Sequence, residues 1–152
     1  MNFCYFLLSI ILLSACARPH NALIVKQFLL RDQASNEAEE PMIKMEKERR
    51  LRDAISIADR RNRLGKYYTL LWSDPLGVSQ GEVELVFEYQ QGASASLVKR
   101  ISYHFPASST KGQAEFAVIG DNYFNGGRVL TWKATLLRKQ RVLATRQSYL
   151  WQ

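Results

Sequence analysis

The sequence predicts a mainly β domain, an antiparallel β-sandwich with one helix near its N-terminus. Short segments from Lys66 onward alternate apolar and polar residues with a period of two. Turn-forming residues such as Gly, Pro and Ser separate these segments at regular intervals. The charged stretch before Lys66 instead has the spacing of a helix. A small β-barrel or an α+β fold is the alternative that the same pattern allows.

The first strand and the helix precede the alternating region. Residues 23–31 (LIVKQFLLR) are rich in apolar and β-branched residues and predict the first strand. Residues 37–64 predict one helix, because glutamates gather near its start and arginines near its end, as the helix dipole favours. Gly65 suits a C-terminal cap. The helix has a narrow apolar stripe, so we expect it to pack lightly on the domain: Leu51, Ala54, Ile55 and Ala58.

The remaining strands are predicted between residues 66 and 152. The clearest alternation places Val83, Leu85 and Phe87 on one face of segment 82–89 and glutamates mostly on the other. The other predicted strands cover residues 66–72, 97–105, 113–119, 128–138 and 141–151. Residues 120–127 predict a glycine-rich turn. The link Lys139-Gln140 lacks the Gly or Asn that is usual in a two-residue hairpin turn.

Residues 23–152 are predicted to form a single domain, as expected for a chain of 152 residues. In size and strand spacing, residues 66–152 resemble an immunoglobulin-like or fibronectin-type sandwich. The resemblance implies two antiparallel sheets around one core. The cysteine pair of antibody domains is absent, and a long helix between the first and second strands is not typical of such domains.

An apolar segment lies at the start of the chain. As a helix, residues 3–13 (FCYFLLSIILL) would span only about 17 Å, at ~1.5 Å per residue. The apolar core of a bilayer is roughly 30 Å thick, so the segment is too short to cross it and suits an export signal. The preceding Met1-Asn2 lacks the positive side chains usual in such signals. The alternative is an N-terminal helix that packs on the domain.

The sequence Leu13-Ser14-Ala15-Cys16 follows this segment and resembles the lipobox of bacterial lipoproteins. The resemblance implies that residues 1–15 are a signal peptide removed by cleavage before Cys16, and that the Cys16 thiol carries a lipid. Residues 16–22 are then a tether, which holds the domain within about 20 Å of the membrane at ~3.5 Å per extended residue. We therefore expect a membrane-anchored protein of the bacterial cell envelope, on the periplasmic or surface side.

The chain is basic. Lys and Arg outnumber Asp and Glu by 21 to 14, which gives a net charge of +7. Such a charge favours anionic partners, and we expect anionic lipid, an envelope polysaccharide or an acidic protein rather than nucleic acid. Arg138, Lys139 and Arg141 cluster at the last hairpin, and no acidic residue follows Asp121. These three cations are the predicted site for an anionic surface.

No catalytic residue, metal site or cofactor is predicted. Cys4 and Cys16 both precede the domain, so they cannot form a disulfide framework or a zinc cluster within it. The two histidines have no partner at the spacing of a metal site or a catalytic triad. Residues 108–111 (SSTK) resemble the S-x-x-K motif of penicillin-recognising enzymes, but they lie in a predicted loop without a Lys-Thr-Gly partner.

The expected function is therefore a non-catalytic binding or scaffold module close to a membrane. A carbohydrate- or peptidoglycan-binding module is the first alternative and a minor hydrolase the second. Aromatic side chains gathered in a surface groove would favour sugar binding, whereas a convergent carboxylate pair would favour an enzyme. Six aromatic residues are candidates for stacking on sugar rings, although most are expected in the core: Tyr67, Tyr68, Trp72, Tyr123, Phe124 and Trp132.

Overall fold

A computed structural model describes residues 22–33, 39–74, 81–94 and 96–151. The lipobox, Cys16 and most of the predicted tether lie outside these residues. The described chain forms seven strands in two antiparallel sheets, which confirms the mainly β prediction. The strands are β1 (Leu23–Leu30), β2 (Gly65–Ser73), β3 (Val83–Gln91), β4 (Lys99–Phe105), β5 (Lys111–Ile119), β6 (Val129–Arg138) and β7 (Arg141–Gln147).

The two sheets pack face to face. One has the strand order β1-β2-β5 and the other β4-β3-β6-β7. Phe87 of β3 is fully buried, with its ring centroid 4.6 Å from that of Tyr68 and 5.3 Å from that of Phe116 in the opposite sheet. Aliphatic residues from both inner faces complete the same core. This arrangement is consistent with a β-sandwich.

The strand registers define two ends of the domain. Leu23 pairs with Trp72, and Val83 pairs with Arg138, at the end that also contains the β6–β7 turn. We call this the hairpin end. Leu30 pairs with Gly65 at the opposite end, where β6 also begins. We call that the cleft end, after the cavity described below.

The predicted single helix over residues 37–64 is wrong, because the chain forms two helices there: α1 (Pro41–Leu51) and α2 (Ile57–Arg63). The Ser56 hydroxyl accepts a hydrogen bond from the Asp59 backbone N–H at 3.0 Å, and the Asp59 carboxylate accepts one from the Ser56 N–H at 3.1 Å. This capping box begins a second helix. Before it, Asp53 has a φ of 64°, which ends the helical path of α1.

A buried arginine, together with part of the predicted apolar stripe, holds α1 on the three-stranded sheet. Arg50 is only 7% exposed, and its guanidinium donates to the Glu115 carboxylate at 2.7 and 3.0 Å. The same guanidinium lies 3.6 Å from the centroid of the Tyr67 ring. Ile55 of the predicted stripe is 92% exposed. Leu51 and Ala54 of the stripe do pack on the domain, so the charged contact adds to a light apolar contact, and the helical periodicity did not reveal it.

A short helix, α3 (Gly120–Gly126), occupies the predicted glycine-rich turn between β5 and β6. The fully buried Gln91 side chain donates to the carbonyls of Asn122 and Gly127, at 2.8 and 2.9 Å. Lys99 in turn donates to the Gln91 side-chain oxygen at 2.7 Å. These contacts fix the position at which β6 begins. Within the described part of the chain, no helix is long and apolar enough to cross a membrane.

Candidate functional site: a basic cleft at one end of the sandwich

The predicted anionic-surface residues separate into two groups in the structure. Lys139 and Gln140 form the two-residue turn between β6 and β7, with φ values of 48° and 64°. Both values are positive, as a type I′ turn requires. The side chains of Lys139 and Arg141 are exposed at the hairpin end. These two residues remain candidates for contact with an anionic surface.

Arg138 does not belong to that surface. It is only 9% exposed, and its Nε lies 3.0 Å from a carboxylate oxygen of Asp74. Its terminal nitrogens donate to backbone carbonyls on two other loops, those of Gly81, Ala107 and Ser109. The alternation of β6 places Arg138 on the inner face with Leu136, so the side chain points between the sheets. The prediction that Arg138 contributes to a surface site is therefore corrected.

The six candidate aromatic residues are also divided. Trp72 packs edge-on against Phe105 in the core, Tyr67 lies under Arg50, and Phe124 lies under Arg61 at 4.1 Å. The other three line a single cavity at the cleft end: Tyr68, Tyr123 and Trp132.

This cleft has a volume of about 550 Å³ and lies at the seam where the edge strands β1 and β7 approach each other. Leu23 and Gln27 point to the same side of β1, towards the space between the sheets. Leu23 is 1% exposed, so β1 and β7 cover the core there, whereas Gln27 is exposed, so the space between these strands is open at that position. The floor of the cleft contains Tyr68 and Trp132, whose ring centroids are 5.8 Å apart. The cleft is thus an opening into the space between the two sheets.

Three cations surround the opening. Arg31, Lys66 and Arg128 all line the cleft, and none forms an ion pair with a carboxylate among the described residues. Burial, together with the positive charge of Arg31, lowers the pKa of Lys66. The Lys66 ammonium lies 5.9 Å from the centroid of the Tyr68 ring. The cleft therefore concentrates positive charge next to aromatic surface.

The Tyr68 side chain adds a polar group to the cleft. Tyr68 is 1% exposed and lines the cleft. Burial raises the pKa of Tyr68, so the phenol keeps its proton at neutral pH and can donate a hydrogen bond. A ligand with acceptor oxygens would satisfy this donor.

The alternation along β2 is the signal that identifies Lys66, which has the same facing as Tyr68, Leu70 and Trp72. Arg128 has no such signal, because it is exposed and precedes β6, and the β3–β6 register is irregular just after it. From the sequence, residues 66–72 and 128–138 were predicted as strands, without a role for the charged residues at their ends. Arg31 and Tyr149 were not identified as site residues from the sequence.

The arrangement of the site can contact a ligand in several ways. It offers cations, aromatic faces and amide side chains to a ligand. The described residues contain no group of three or more His, Cys, Asp or Glu side chains positioned to hold a metal ion. Comparison of the chain with known proteins found no matching family model, no matching curated protein and no matching solved structure.

Proposed function

We propose that the protein is a lipid-anchored cell-envelope lipoprotein whose β domain is a non-catalytic binding module. The observation that carries the binding function is the cleft, in which three cations without a described counterion surround buried aromatic rings. Burial disfavours the charged form of Lys66, and a bound anion would offset that cost. The membrane anchor is inferred from the lipobox at Cys16.

We further propose an immunoglobulin-like sandwich of the fibronectin type. The strand orders β1-β2-β5 and β4-β3-β6-β7 support this assignment. In the constant-type immunoglobulin arrangement the fourth strand lies in the sheet of the first, second and fifth strands. Here β4 pairs instead with β3, as the fourth strand does in fibronectin-type domains. The two helices between β1 and β2 are then an insertion, of which α1 packs on the three-stranded sheet.

The proposed anchor gives the domain an orientation. The tether would enter at Ala22, whose carbonyl accepts a hydrogen bond from Ser73 at the hairpin end. Lys139 and Arg141 are exposed at the same end. A lipid on Cys16 therefore brings these cations towards the headgroups and leaves the cleft end facing away from the membrane.

The anchor is tested by Cys16→Ser in the native host, with Ser14→Thr as a conservative control for the signal region. We expect the wild-type protein in the membrane fraction, with a mature N-terminus at Cys16 that carries acyl chains in the mass spectrum. The Cys16→Ser chain should lack the lipid and remain uncleaved before residue 16. An unmodified Cys16 in the wild-type protein, or cleavage at another position, would contradict the proposal.

The orientation is tested by hydrogen exchange of the lipidated protein in vesicles. Amides of residues 138–142 should exchange more slowly on anionic phosphatidylglycerol vesicles than on neutral phosphatidylcholine vesicles, and the difference should fade at high salt. The paired substitutions Lys139→Ser and Arg141→Ser should abolish it. Arg52→Ser and Arg60→Ser, exposed cations on the helical side, are the matched control. Equal exchange on both vesicles would remove the hairpin from the proposed membrane contact.

A further inference from the structure

The cations at the cleft come from three different segments. Arg31 follows β1, Lys66 lies in β2 and Arg128 precedes β6. These segments are distant in sequence, and the fold brings them to one cavity. A solvated lysine or arginine on a strand usually points away from the core, whereas Lys66 shares the inner face of β2. This facing directs its ammonium towards the space in which a ligand would lie.

The cleft also offers flat apolar surface. Tyr123 is partly exposed and Trp132 forms part of the floor, while Tyr149 is 99% exposed at the rim. Tyrosine and tryptophan side chains combine an apolar face with a polar group. They are suited to contacts with a sugar ring, which also has apolar C–H groups and polar hydroxyl groups. Gln27 and Gln147 line the same cavity and can hydrogen-bond to hydroxyl groups.

The size of the cleft limits the ligand. A volume of about 550 Å³ falls within the range of roughly 300–1,000 Å³ that is typical of small-molecule sites. The cleft is open at one side, so a longer chain could continue out of it. The cleft therefore fits one to a few sugar rings better than the extended surface of a protein.

We propose that the cleft binds an acidic sugar, with the ring against the aromatic surface and its carboxylate or phosphate among Lys66, Arg31 and Arg128. The proposal rests on the proposed binding function and specifies the ligand class. The Tyr68 hydroxyl donates to an oxygen of the same ligand. A neutral sugar would leave the three cations without a counterion, and a simple anion would leave the aromatic surface unused.

Calorimetry on the mature lipidated protein, in a non-ionic polyoxyethylene detergent without sugar groups, tests the proposal. The probes are trigalacturonate, which carries carboxylates, glucose 1-phosphate, which carries a phosphate, neutral maltotriose and inorganic tripolyphosphate. We expect binding of at least one acidic sugar, and maltotriose weaker by at least about tenfold, the size of effect expected from losing one charged hydrogen bond. The two acidic sugars distinguish a carboxylate ligand from a phosphate ligand.

Substitutions locate the binding. Lys66→Gln should weaken binding of the acidic sugar by about tenfold, and Arg128→Gln, at an exposed position, should weaken it without a risk to folding. Tyr149→Ala should weaken the acidic sugar but not tripolyphosphate. Arg60→Gln removes an equal charge from α2, away from the cleft, and should leave the affinity unchanged.

Three results would overturn the proposal: no binding of either acidic sugar, equal binding of maltotriose, or tripolyphosphate binding as tightly as the sugars with no effect of Tyr149→Ala. The last result would indicate a general polyanion site. None of these results bears on the anchor, because lipidation of Cys16 is measured separately. A failure of the ligand assignment can thus be distinguished from a failure of the proposed envelope location.

Discussion

The two ends of the sandwich each contain an inward-facing cation, and the two cations have different surroundings. At the hairpin end, Arg138 is paired with Asp74 and donates to three backbone carbonyls. At the cleft end, Lys66 has no ion-pair or hydrogen-bond partner among the described residues and lies beside an open cavity. The same local pattern, a cation at the end of an alternating apolar face, therefore has two outcomes.

The difference distinguishes a structural cation from a candidate binding cation. Arg138 satisfies carbonyls from the loops that close the hairpin end, so its charge is used within the protein. The planar guanidinium has five donors and suits this task, whereas the Lys66 ammonium is a compact charge. Local packing also differs between two glycines: a Cβ at Gly112, at the hairpin end, would lie within 3 Å of the Trp72 and Phe105 rings, whereas a Cβ at Gly92, at the cleft end, would have no atom within 4 Å.

The largest effect is expected from Arg138→Met. The substitution leaves the Asp74 carboxylate, which is 16% exposed, and three carbonyls without their donor. We expect a loss of about 2–4 kcal/mol in the free energy of unfolding, measured by urea denaturation. Lys139→Met, one residue further along, is the control and should change stability by less than about 0.5 kcal/mol. A similar small loss for Arg138→Met would mean that the hairpin end does not depend on this pair.

The next effect concerns packing. A Cβ atom at Gly112 would lie 2.7 Å from both Phe105 Cε1 and Trp72 Nε1, which is closer than real contacts allow. Gly112→Ala should therefore cost about 1–3 kcal/mol, the usual range for overpacking. Gly92→Ala, at the cleft end, has no atom within 4 Å of the new Cβ and is the matched control. Equal melting temperatures of the two variants would contradict the tighter packing around Gly112 than around Gly92.

A smaller, stabilising effect is expected from Gln140→Gly. Gln140 has a φ of 64° in the β6–β7 turn, a conformation that a glycine adopts without steric cost. We expect a gain of about 0.5–1 kcal/mol and a melting temperature higher by a few degrees. Gln140→Ala keeps a Cβ at the same φ and should give no gain. A gain of the same size with alanine would show that relief of backbone strain is not the cause.

The smallest effect at neutral pH is expected from Lys66→Met, within about 0.5 kcal/mol, because the substitution removes no ion pair or hydrogen bond to a described residue. The pH dependence is more informative. The pKa of Lys66 is lowered from 10.5 in the folded protein, so the unfolded chain binds more protons between the folded pKa and 10.5. Wild-type stability should therefore rise through that pH window relative to Lys66→Met. The prediction would be contradicted if the difference between the urea midpoints of the wild-type protein and Lys66→Met stayed constant from pH 8 to 10.5.

Local periodicity in the sequence was sufficient to predict the strands, but it did not predict that the helical segment is divided into two helices. All seven strands were predicted, because the alternation along a strand follows directly from its half-buried geometry. The single predicted helix failed at residues 52–56, where Ser56 and Asp59 form a capping box inside a charged run. That box was present in the sequence as S-x-x-D, and the ion pairs expected along one long helix obscured it.

The sequence by itself determined the mainly β fold, the buried face of β3 and the lipobox from which the anchor is proposed. Only the tertiary structure decided which inward cation is neutralised. Asp74 meets Arg138 and Glu115 meets Arg50 because separate segments of the chain converge there, and no periodicity records these distances. The cleft has the same origin: Arg31, Lys66 and Arg128 are scattered along the chain and come together only where the edge strands separate. Local patterns reflect which face of a strand is buried, whereas charge pairing and cavities depend on how distant segments pack.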